Sequence, residues 1–442
     1  MELYILKRYK KKFIDSILKG TSLTKLFSIV LGFFVRREGK KFQVLDENIK
    51  ESDLVPSRSN GYDKASLYVH IPFCRTLCPY CSFNRYRFKE DQARIYFENL
   101  NKELDLYIQR GYKFSSVYFG GGTPTIKMDG LLEFIDHLKE NNDIREISVE
   151  STPREINEES VNQLKAAGVN RISVGVQSFD RGIMKVIGRL IIGKNVREKI
   201  QLAKDKFDTL NLDLMFNFPT QTIEHLKTDL EILKSMKNDF NQVTFYPLMP
   251  SPHKKVSLER RFNRINTSRE RKFYEIIQRT LLSEGYRPST VWCFSYGETI
   301  IDEYIIEYDD YIGLGSGSVS LLDGTFYVNS FSLDRYDKFL TKNKLPIIRW
   351  KKLTKHEQFR YYFLTKLFGM EINTNKFYQK FKRDIHEELI KEIFFLKFIG
   401  LIREKKGIIQ VTERGMYYVN MLMREFYGSL NALREFCIEN QV

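Results

Sequence analysis

The sequence predicts an α/β protein: a partial (β/α)6 TIM-like barrel followed by an α+β, winged-helix-like C-terminal domain. The first observation is that strand-like apolar runs alternate six times with amphipathic helices between residues 65 and 247, as they do in parallel sheets. The second is that this alternation stops near residue 350, where helices and one hairpin follow. Six units are too few to close an eight-unit barrel, so we expect an incomplete one.

The individual elements follow from the periodicity of the apolar residues. Strands are predicted over residues 66–71, 115–119, 146–150, 171–176, 209–215 and 242–246. Helices are predicted over residues 91–109, 128–141, 158–167, 194–206 and 223–236. Because functional groups of such sheets lie at the carboxyl ends of the strands, we search those positions for a site.

Four parts are predicted along the chain. Residues 1–63 are a basic helical extension and linker, 64–265 the partial barrel, 266–348 a post-barrel extension, and 349–442 the winged-helix-like domain. In the last part, helices are predicted over 355–370, 376–383, 385–399 and 414–430. A hairpin is predicted over 401–411, with its turn at Lys406 and Gly407.

Composition indicates a globular chain with an excess of positive charge. The 442 residues include 71 Lys and Arg against 56 Asp and Glu, a net charge of +15, and 42% are hydrophobic. Such a balance suits an acidic partner, such as a polycarboxylate small molecule or an anionic surface. The basic residues lie in short separate runs, which is typical of solvated faces, so there is no clear nucleic-acid site.

The five cysteines indicate a reducing, cytoplasmic location and a metal site. Three of them lie within eight residues, whereas Cys293 and Cys437 are distant, unlike the spread of a disulfide framework. The apolar run 26–35 is too short to span a bilayer. We expect an amphipathic helix there that packs on the body or makes a peripheral membrane contact.

Cys74, Cys78 and Cys81 follow the first predicted strand with the spacing C-x3-C-x2-C. Three thiolates on a short loop can bind three irons of a cubane, and the fourth iron is then open to a chelating ligand. Structural zinc would need a fourth ligand, for which His70 is a candidate. Three unrelated buried thiols are the remaining alternative.

The segment LYVHIPFC together with this triplet resembles the radical S-adenosylmethionine (SAM) superfamily. The resemblance is to the branch of oxygen-independent coproporphyrinogen III oxidase and the heme-chaperone-like proteins, over roughly residues 65–340. It implies a [4Fe–4S] cluster on the three cysteines, and one or two SAM molecules. It also implies a flavodoxin- or ferredoxin-type electron donor and an anionic tetrapyrrole as substrate.

By the same resemblance, the SAM contacts lie at the strand ends. GGGTP at 120–124 matches a family motif, and LDLMFNFPTQT is similar to another, with Asn217 where glycine is commoner. Glycine amides there are expected to bind the SAM carboxylate. No acid–base catalyst is assigned. The implied cofactor-binding residues are Tyr68, Tyr80, Gly121, Gly122, Thr123, Glu150, Gln177, Arg189, Asp213 and Pro247.

The implied activity is reductive cleavage of SAM to a 5′-deoxyadenosyl radical that acts on a porphyrinogen or heme-like tetrapyrrole, as in coproporphyrinogen III dehydrogenases of porphyrin biosynthesis. Two departures leave alternatives open. Phe83 stands where the oxidase has a further cysteine, and 291–296 reads VWCFSY where the chaperone-like members have a heme-binding His-Asn motif. The alternatives are a radical methyltransferase that uses two SAM molecules and a non-catalytic heme-binding chaperone.

Overall fold

The computed structural model describes residues 45–46, 48, 50–58, 62, 65–189, 194–300 and 304–440. The apolar run 26–35 and most of the predicted extension 1–63 lie outside these residues. Residues from 45 to 354, together with those from Asn431 onward, belong to one compact unit, and Lys355–Leu430 belongs to a second.

Six parallel strands form the centre of the first unit. They are β1 Ala65–Ile71, β2 Ser116–Gly121, β3 Glu146–Ser151, β4 Arg171–Gln177, β5 Thr209–Phe216 and β6 Gln242–Pro247. Each pairs in parallel with the next one along the chain. The helices between them are Glu90–Ile108, Met128–Asn141, Glu158–Ala166, Arg181–Val186, Lys194–Ala203 and Ile223–Ser235. The predicted α/β class and its six units are therefore confirmed.

Local sequence explains why these elements begin where they do. All seven residues of β4 are buried, as expected of a strand that is covered on both faces. Asn157 caps the helix Glu158–Ala166, since its side chain accepts from the Ser160 amide at 2.9 Å and Ser160 Oγ accepts from the Asn157 amide at 2.9 Å. Such reciprocal capping satisfies amide groups that the first helical turn leaves free.

The sheet extends beyond the six predicted units on both sides. A seventh parallel strand, Asp310–Leu314, pairs with β1. Antiparallel strands Val319–Leu322, Thr325–Asn329 and Ile347–Lys352 follow on that side, and Cys293–Ser295 and Arg287–Pro288 lie beyond β6. Helices Glu51–Leu54, Pro252–Arg261, Glu270–Ser283, Tyr304–Glu307 and Leu333–Leu340 complete the elements of this unit, with the short strand pair Phe73–Cys74 and Tyr86–Arg87 and a 3-10 turn at Pro124–Ile126.

The second unit has the helix-and-hairpin pattern that the sequence predicts, and its winged-helix-like class is confirmed. Its helices are Lys355–Phe368, Thr374–Phe381, Ile385–Glu388, Ile390–Phe398 and Glu413–Glu439, and the last one ends beyond the unit. Strands Glu371–Asn373, Ile402–Lys405 and Ile408–Val411 pair antiparallel. The hairpin turns at Lys406 and Gly407, both at positive φ, as two-residue turns require.

No helix among the described residues is long and apolar enough to cross a membrane.

Candidate functional site

The cysteine loop, residues 72–89, follows β1 and is closed by its own backbone. The Tyr86 amide donates to the Pro72 carbonyl at 2.6 Å, and the Phe88 amide donates to the Cys74 carbonyl at 3.0 Å. These bonds form the short parallel pair between Phe73–Cys74 and Tyr86–Arg87. All three cysteines are therefore carried on a loop whose two ends are fixed together at the carboxyl end of the sheet.

The thiols of this loop lie in surroundings that disfavour a free thiolate. Cys78 is buried, and Cys74 and Cys81 are partly so. Burial raises the pKa of Cys74 to about 11 and also raises the pKa of Cys81. A bound metal supplies the positive charge that lets such thiols ionise, so their chemistry fits a metal cluster better than a reactive nucleophile.

The zinc alternative does not fit this geometry. Tetrahedral zinc holds its sulfur ligands about 3.8 Å apart, given Zn–S bonds of about 2.3 Å. Within the part of the chain that the structure describes, the cysteine triplet is not among the sets of ligand atoms that lie within 4.8 Å of one another. His70, the candidate fourth ligand, has Nδ1 bonded to the Tyr68 hydroxyl at 3.0 Å and Nε2 at 2.8 Å from the Asn84 carbonyl oxygen. Both imidazole nitrogens are therefore occupied away from the cysteines.

Gly121, at the end of β2, lies so close to the His70 ring that no other residue fits there, and we call this close contact the glycine notch. Its φ is +113°, and a Cβ there would lie 2.6 Å from the His70 ring. A Cβ on Gly120 would meet Glu150, Tyr118 and Tyr68 at 3.0–3.1 Å. The glycines thus let this segment pack directly against His70, at the end of β1, and against Glu150, with no room for a side chain between them.

The amides of the glycine segment already have partners within the protein. Gly121 N donates to Glu150 Oε2 at 3.2 Å, Gly122 N to the Ile71 carbonyl at 2.8 Å, and Thr123 N to the Phe73 carbonyl at 2.9 Å. Contrary to the expectation from sequence, these amides are not free to bind a carboxylate. Thr123 instead directs its hydroxyl at the Cys74 sulfur, at 4.0 Å.

Two carboxylates lie near each other on β3 and β5, with β4 between the two strands, and the first of them bonds to the glycine notch. Glu150 accepts from the Tyr118 hydroxyl at 2.9 Å, and burial, together with the charge of Asp213, raises its pKa to about 7. Burial raises the pKa of Asp213 as well, although Ser173 donates to it at 2.6 Å. Two desolvated acids at one strand edge are suited to bind a cationic ligand, which would offset their burial.

Arg189 brings a half-buried positive charge to the site. Its Nη1 donates to the Gly175 carbonyl at 2.7 Å. Burial opposes its charge, but Tyr80 and Cys78 nearby raise the pKa of Arg189 above the usual value. Burial raises the pKa of Tyr80, whose ring meets the Phe218 ring edge-on at 5.5 Å. Arg189 therefore links the cysteine loop to the strand ends.

Gln177 ends β4 in a conformation that favours glycine. Its φ is +71°, and its amide lies over Gly175, where a Cβ would meet Nε2 at 2.9 Å. The next two residues are fixed by buried Asp229, which accepts from Ser178 Oγ at 2.9 Å and from the Phe179 amide at 2.6 Å. Backbone strain of this kind is commonly found at ligand sites.

Asn217 follows β5, also at positive φ (+68°), which explains its place where the related motif has glycine, because asparagine tolerates this region better than most residues. Arg269 holds it, donating from Nε to Asn217 Oδ1 at 3.0 Å. Pro247 ends β6 opposite Phe216 of β5 and is buried.

The glycine-rich segment 311–330 serves to support the cysteine loop. A Cβ on Gly315 would lie 2.5 Å from the His70 carbonyl, and the Gly315 amide donates to buried Glu103 at 2.8 Å. Asn84, three residues after Cys81, donates to the carbonyls of Ser316 and Phe331 at 3.1 and 3.2 Å. The glycines of this segment are therefore explained by close packing against the cysteine loop.

Most of the predicted site residues come together at one edge of the sheet. The notch at Gly121, the acids, Arg189, Tyr80, Gln177 and the cysteine loop interact with one another, and Pro247 lies at the end of β6, beside β5. The sequence missed the supporting polar residues Asn84, Arg85, Glu103 and Asp229, and it offered His70 only as a zinc ligand. A signal existed for Glu103, which shares the apolar helix face of Tyr96, Leu100 and Tyr107.

Comparison with known proteins agrees with this geometry. Residues 68–233 match the model of the Radical SAM superfamily. The chain is 27% identical over 382 residues to the heme chaperone HemW of Bacillus subtilis, covering 83% of this chain and 100% of that protein. It is 26% identical over 413 residues to the oxygen-independent coproporphyrinogen III oxidase of Pseudomonas aeruginosa, covering 86% of this chain and 89% of that protein.

The fold matches the solved structure of coproporphyrinogen III oxidase (HemN) from Escherichia coli with a TM-score of 0.73, at 21% identity, over 86% of this chain and 94% of that one. The superfamily implies a [4Fe–4S] cluster and SAM as cofactors, and the buried thiols and the glycine notch fit them. Residues 68–233 thus match the Radical SAM superfamily, in a chain that is similar to the HemW heme chaperones and to the oxygen-independent coproporphyrinogen III oxidases.

Proposed function

We propose that this protein is a radical SAM enzyme that holds a [4Fe–4S] cluster on Cys74, Cys78 and Cys81 and cleaves SAM reductively. The observation that carries this is the close packing at Gly121, which brings the strand end that precedes the cysteine loop next to the half-buried carboxylate of Glu150. When bound, the cluster supplies the electron that breaks the sulfonium bond of SAM and yields the 5′-deoxyadenosyl radical. We assign the cofactor site to the predicted part 64–265.

The residues around the notch bind and orient SAM in this proposal. Glu150 attracts the SAM ammonium group, since an ionised carboxylate and an ammonium pair strongly in a buried site. Asp213 bonds the ribose hydroxyls, and Arg189 presents a planar fork to the SAM carboxylate. Because the glycine amides are already bonded, Arg189 takes over the role that they were expected to play.

We assign the remaining predicted residues either to this SAM site or to the site of a second SAM molecule. Tyr80 packs beside the adenine, Tyr68 fixes His70 under the notch, and Gln177 and Pro247 close the strand ends. Gly122 and Thr123 face a second SAM where one is bound. The chain's own contribution is to orient SAM and exclude water, while the cofactors supply the difficult chemistry.

For the substrate, we propose an anionic tetrapyrrole, a porphyrinogen or a heme-like molecule. The net charge of +15 favours a ligand with several carboxylates. The similar proteins are named as coproporphyrinogen III oxidases and heme chaperones, which supports a tetrapyrrole of either kind. A flavodoxin- or ferredoxin-type protein would supply the electron, and the five free cysteines support a cytoplasmic location.

A second candidate function is a heme-binding chaperone that keeps the cluster fold. The observation in its favour is Phe83, which stands two residues after the third cysteine where the oxidase has a further cysteine. Its side chain is 43% exposed and lies against the Arg434 guanidinium at 4.6 Å. An exposed aromatic ring beside a cation is suited to a flat anionic ligand such as heme.

Turnover of SAM tests the first candidate. The protein is purified without oxygen, reconstituted with iron and sulfide, and given dithionite and SAM, and 5′-deoxyadenosine is quantified by mass spectrometry. We expect the product from wild type and from Cys437→Ala, whose thiol is far along the chain, and none from Cys78→Ala. No product from wild type that contains its cluster, with or without a tetrapyrrole, would reject the enzymatic proposal.

Product and ligand assays then separate the alternatives. Decarboxylated product from coproporphyrinogen III identifies an oxidase, and S-adenosylhomocysteine together with 5′-deoxyadenosine identifies a methyltransferase. A shift of the heme absorption band on titration, lost in Phe83→Ala but kept in Leu77→Ala, identifies the chaperone. Leu77 is a matched control because it is an equally exposed apolar side chain of the same loop.

A further inference from the structure

Arg85 is a positive charge held beside the cysteines that the proposed roles do not use. Its Nη2 donates to the Cys81 carbonyl at 3.0 Å. Its Nη1 is buried and has no hydrogen-bond partner among the described residues. A buried donor without an acceptor is costly in a folded protein, so its position calls for a ligand that completes the site.

The guanidinium lies close enough to act on two of the three thiols. Besides the bond from its Nη2 to the Cys81 carbonyl, its charge acts on the side chains of both Cys74 and Cys81. Arg85 is therefore within electrostatic range of the first and the third cysteine of the triplet. An arginine remains charged at any pH the protein experiences.

The backbone on both sides of Arg85 is fixed. Asn84 is bonded to Ser316 and Phe331, and the Tyr86 hydroxyl donates to the Phe331 carbonyl at 2.6 Å. The position of the guanidinium is therefore determined by the fold rather than by a flexible loop. A preorganised charge of this kind keeps its full effect in a partly desolvated site.

We propose that Arg85 sets the reduction potential of the cluster by stabilising its reduced form. This inference rests on the proposed function, because it requires a cluster on the cysteine triplet. Reduction adds one negative charge, which a fixed cation nearby favours, and the cluster would supply the acceptor that Nη1 lacks. Arg85 is thus a positioning and tuning residue, whereas the cysteines are the ligands.

The test is a redox titration of the reconstituted protein, with the reduced cluster measured by electron paramagnetic resonance. At a fixed potential, we expect Arg85→Gln to lower the ratio of reduced to oxidised cluster about tenfold, which is about 59 mV for a one-electron couple. Arg85→Lys keeps the charge and should stay within about twofold of wild type. Arg87→Gln is the matched control, since Arg87 is exposed and two residues further along the same loop.

Each outcome decides the proposal. An unchanged ratio in Arg85→Gln would overturn it, as would an equal fall in Arg87→Gln. If Arg85→Gln does not retain iron, Arg85→Lys is tested in its place. Retention of about four irons by Arg85→Lys supports the need for a cation. Loss of iron from Arg85→Lys, with an unchanged near-UV circular dichroism spectrum, rejects it. Wild type without any cluster would instead reject the proposed function, before Arg85 is tested.

Discussion

A Cβ at position 121 would lie 2.6 Å from Cε1 of His70, which is closer than any real pair of such atoms. His70 cannot move away, because its ring is held between the Tyr68 hydroxyl and the Asn84 carbonyl, at 3.0 and 2.8 Å. Burial lowers the pKa of His70 to about 4, so the ring is neutral and acts as a fixed wall. The notch beside the cysteine loop therefore depends on a glycine and an imidazole together.

Gly121→Ala should destabilise the protein and weaken SAM binding. The positive φ and the contact with His70 are both unfavourable for alanine, and together they should lower the free energy of unfolding by about 2–4 kcal/mol. Urea unfolding and SAM titration measure the two effects. Gly428→Ala is the control, because nothing lies within 4 Å of its added Cβ. Equal stability of the two variants would contradict the account of the notch.

SAM binding should strengthen as pH rises through about 7. Glu150 has a pKa of about 7, raised by burial, so it is neutral below that pH and attracts a cation only above it. At pH 6 about a tenth of it is ionised, and affinity should be about tenfold weaker than the plateau near pH 8. Calorimetric titration over this range measures the profile.

Two variants identify the titrating group. Glu150→Gln should bind SAM weakly at every pH, with a flat profile. Glu146→Gln, at the opposite end of the same strand, should keep the wild-type profile. A profile that persists in Glu150→Gln would assign the titration to another group.

Glu103→Ala should cost about 3 kcal/mol of folding free energy. Its carboxylate is fully buried and accepts from the Tyr336 hydroxyl at 2.6 Å, the Asn329 amide at 2.7 Å and the Gly315 amide at 2.8 Å. Removing it takes the acceptor from the Tyr336 hydroxyl and the Gly315 amide, and leaves the Asn329 amide with only its longer bonds of 3.3 Å to the Gly313 and Gly315 carbonyls. The apparent free energy of unfolding in urea measures the loss.

Glu98→Ala is the matched control on the same helix. Glu98 makes only an exposed ion pair with Arg94, and such pairs contribute little. We expect a change within about 0.5 kcal/mol. If Glu103→Ala were no more destabilising than Glu98→Ala, the support of the cysteine loop by the segment around Gly315 would be wrong.

The sequence alone predicts the order and the type of the central elements. The six strands and their helices agree with the predicted ranges to within a few residues, because parallel β/α units have clear apolar periods. The seventh parallel strand, Asp310–Leu314, was missed, since its pairing with β1 joins segments more than two hundred residues apart. Similarly, the last helix ends at Glu439 rather than near residue 430, because it continues through Gly428 and meets no proline.

The chemistry-bearing residues of the site were easier to predict than those that support them. Cysteine spacing singles out Cys74 from local sequence, and Glu150 follows from its strand-end position together with the family resemblance. In contrast, Arg85 and Asp229 act through partners that only the fold brings near, the cysteine triplet and the Ser178 turn. The hydrogen bond from the Gly122 amide to the Ile71 carbonyl could not be predicted from the sequence either, because it depends on how closely the two segments approach in the fold.

The most direct test of the central claim is to measure iron, labile sulfide and the spin signal of the reduced protein, with and without SAM. We predict about four irons per chain and a signal that changes when SAM is added, as an open iron site requires. The cluster should be lost in Cys74→Ala, Cys78→Ala and Cys81→Ala, and kept in Cys437→Ala. One bound zinc per chain, or a signal that SAM leaves unchanged, would contradict the account.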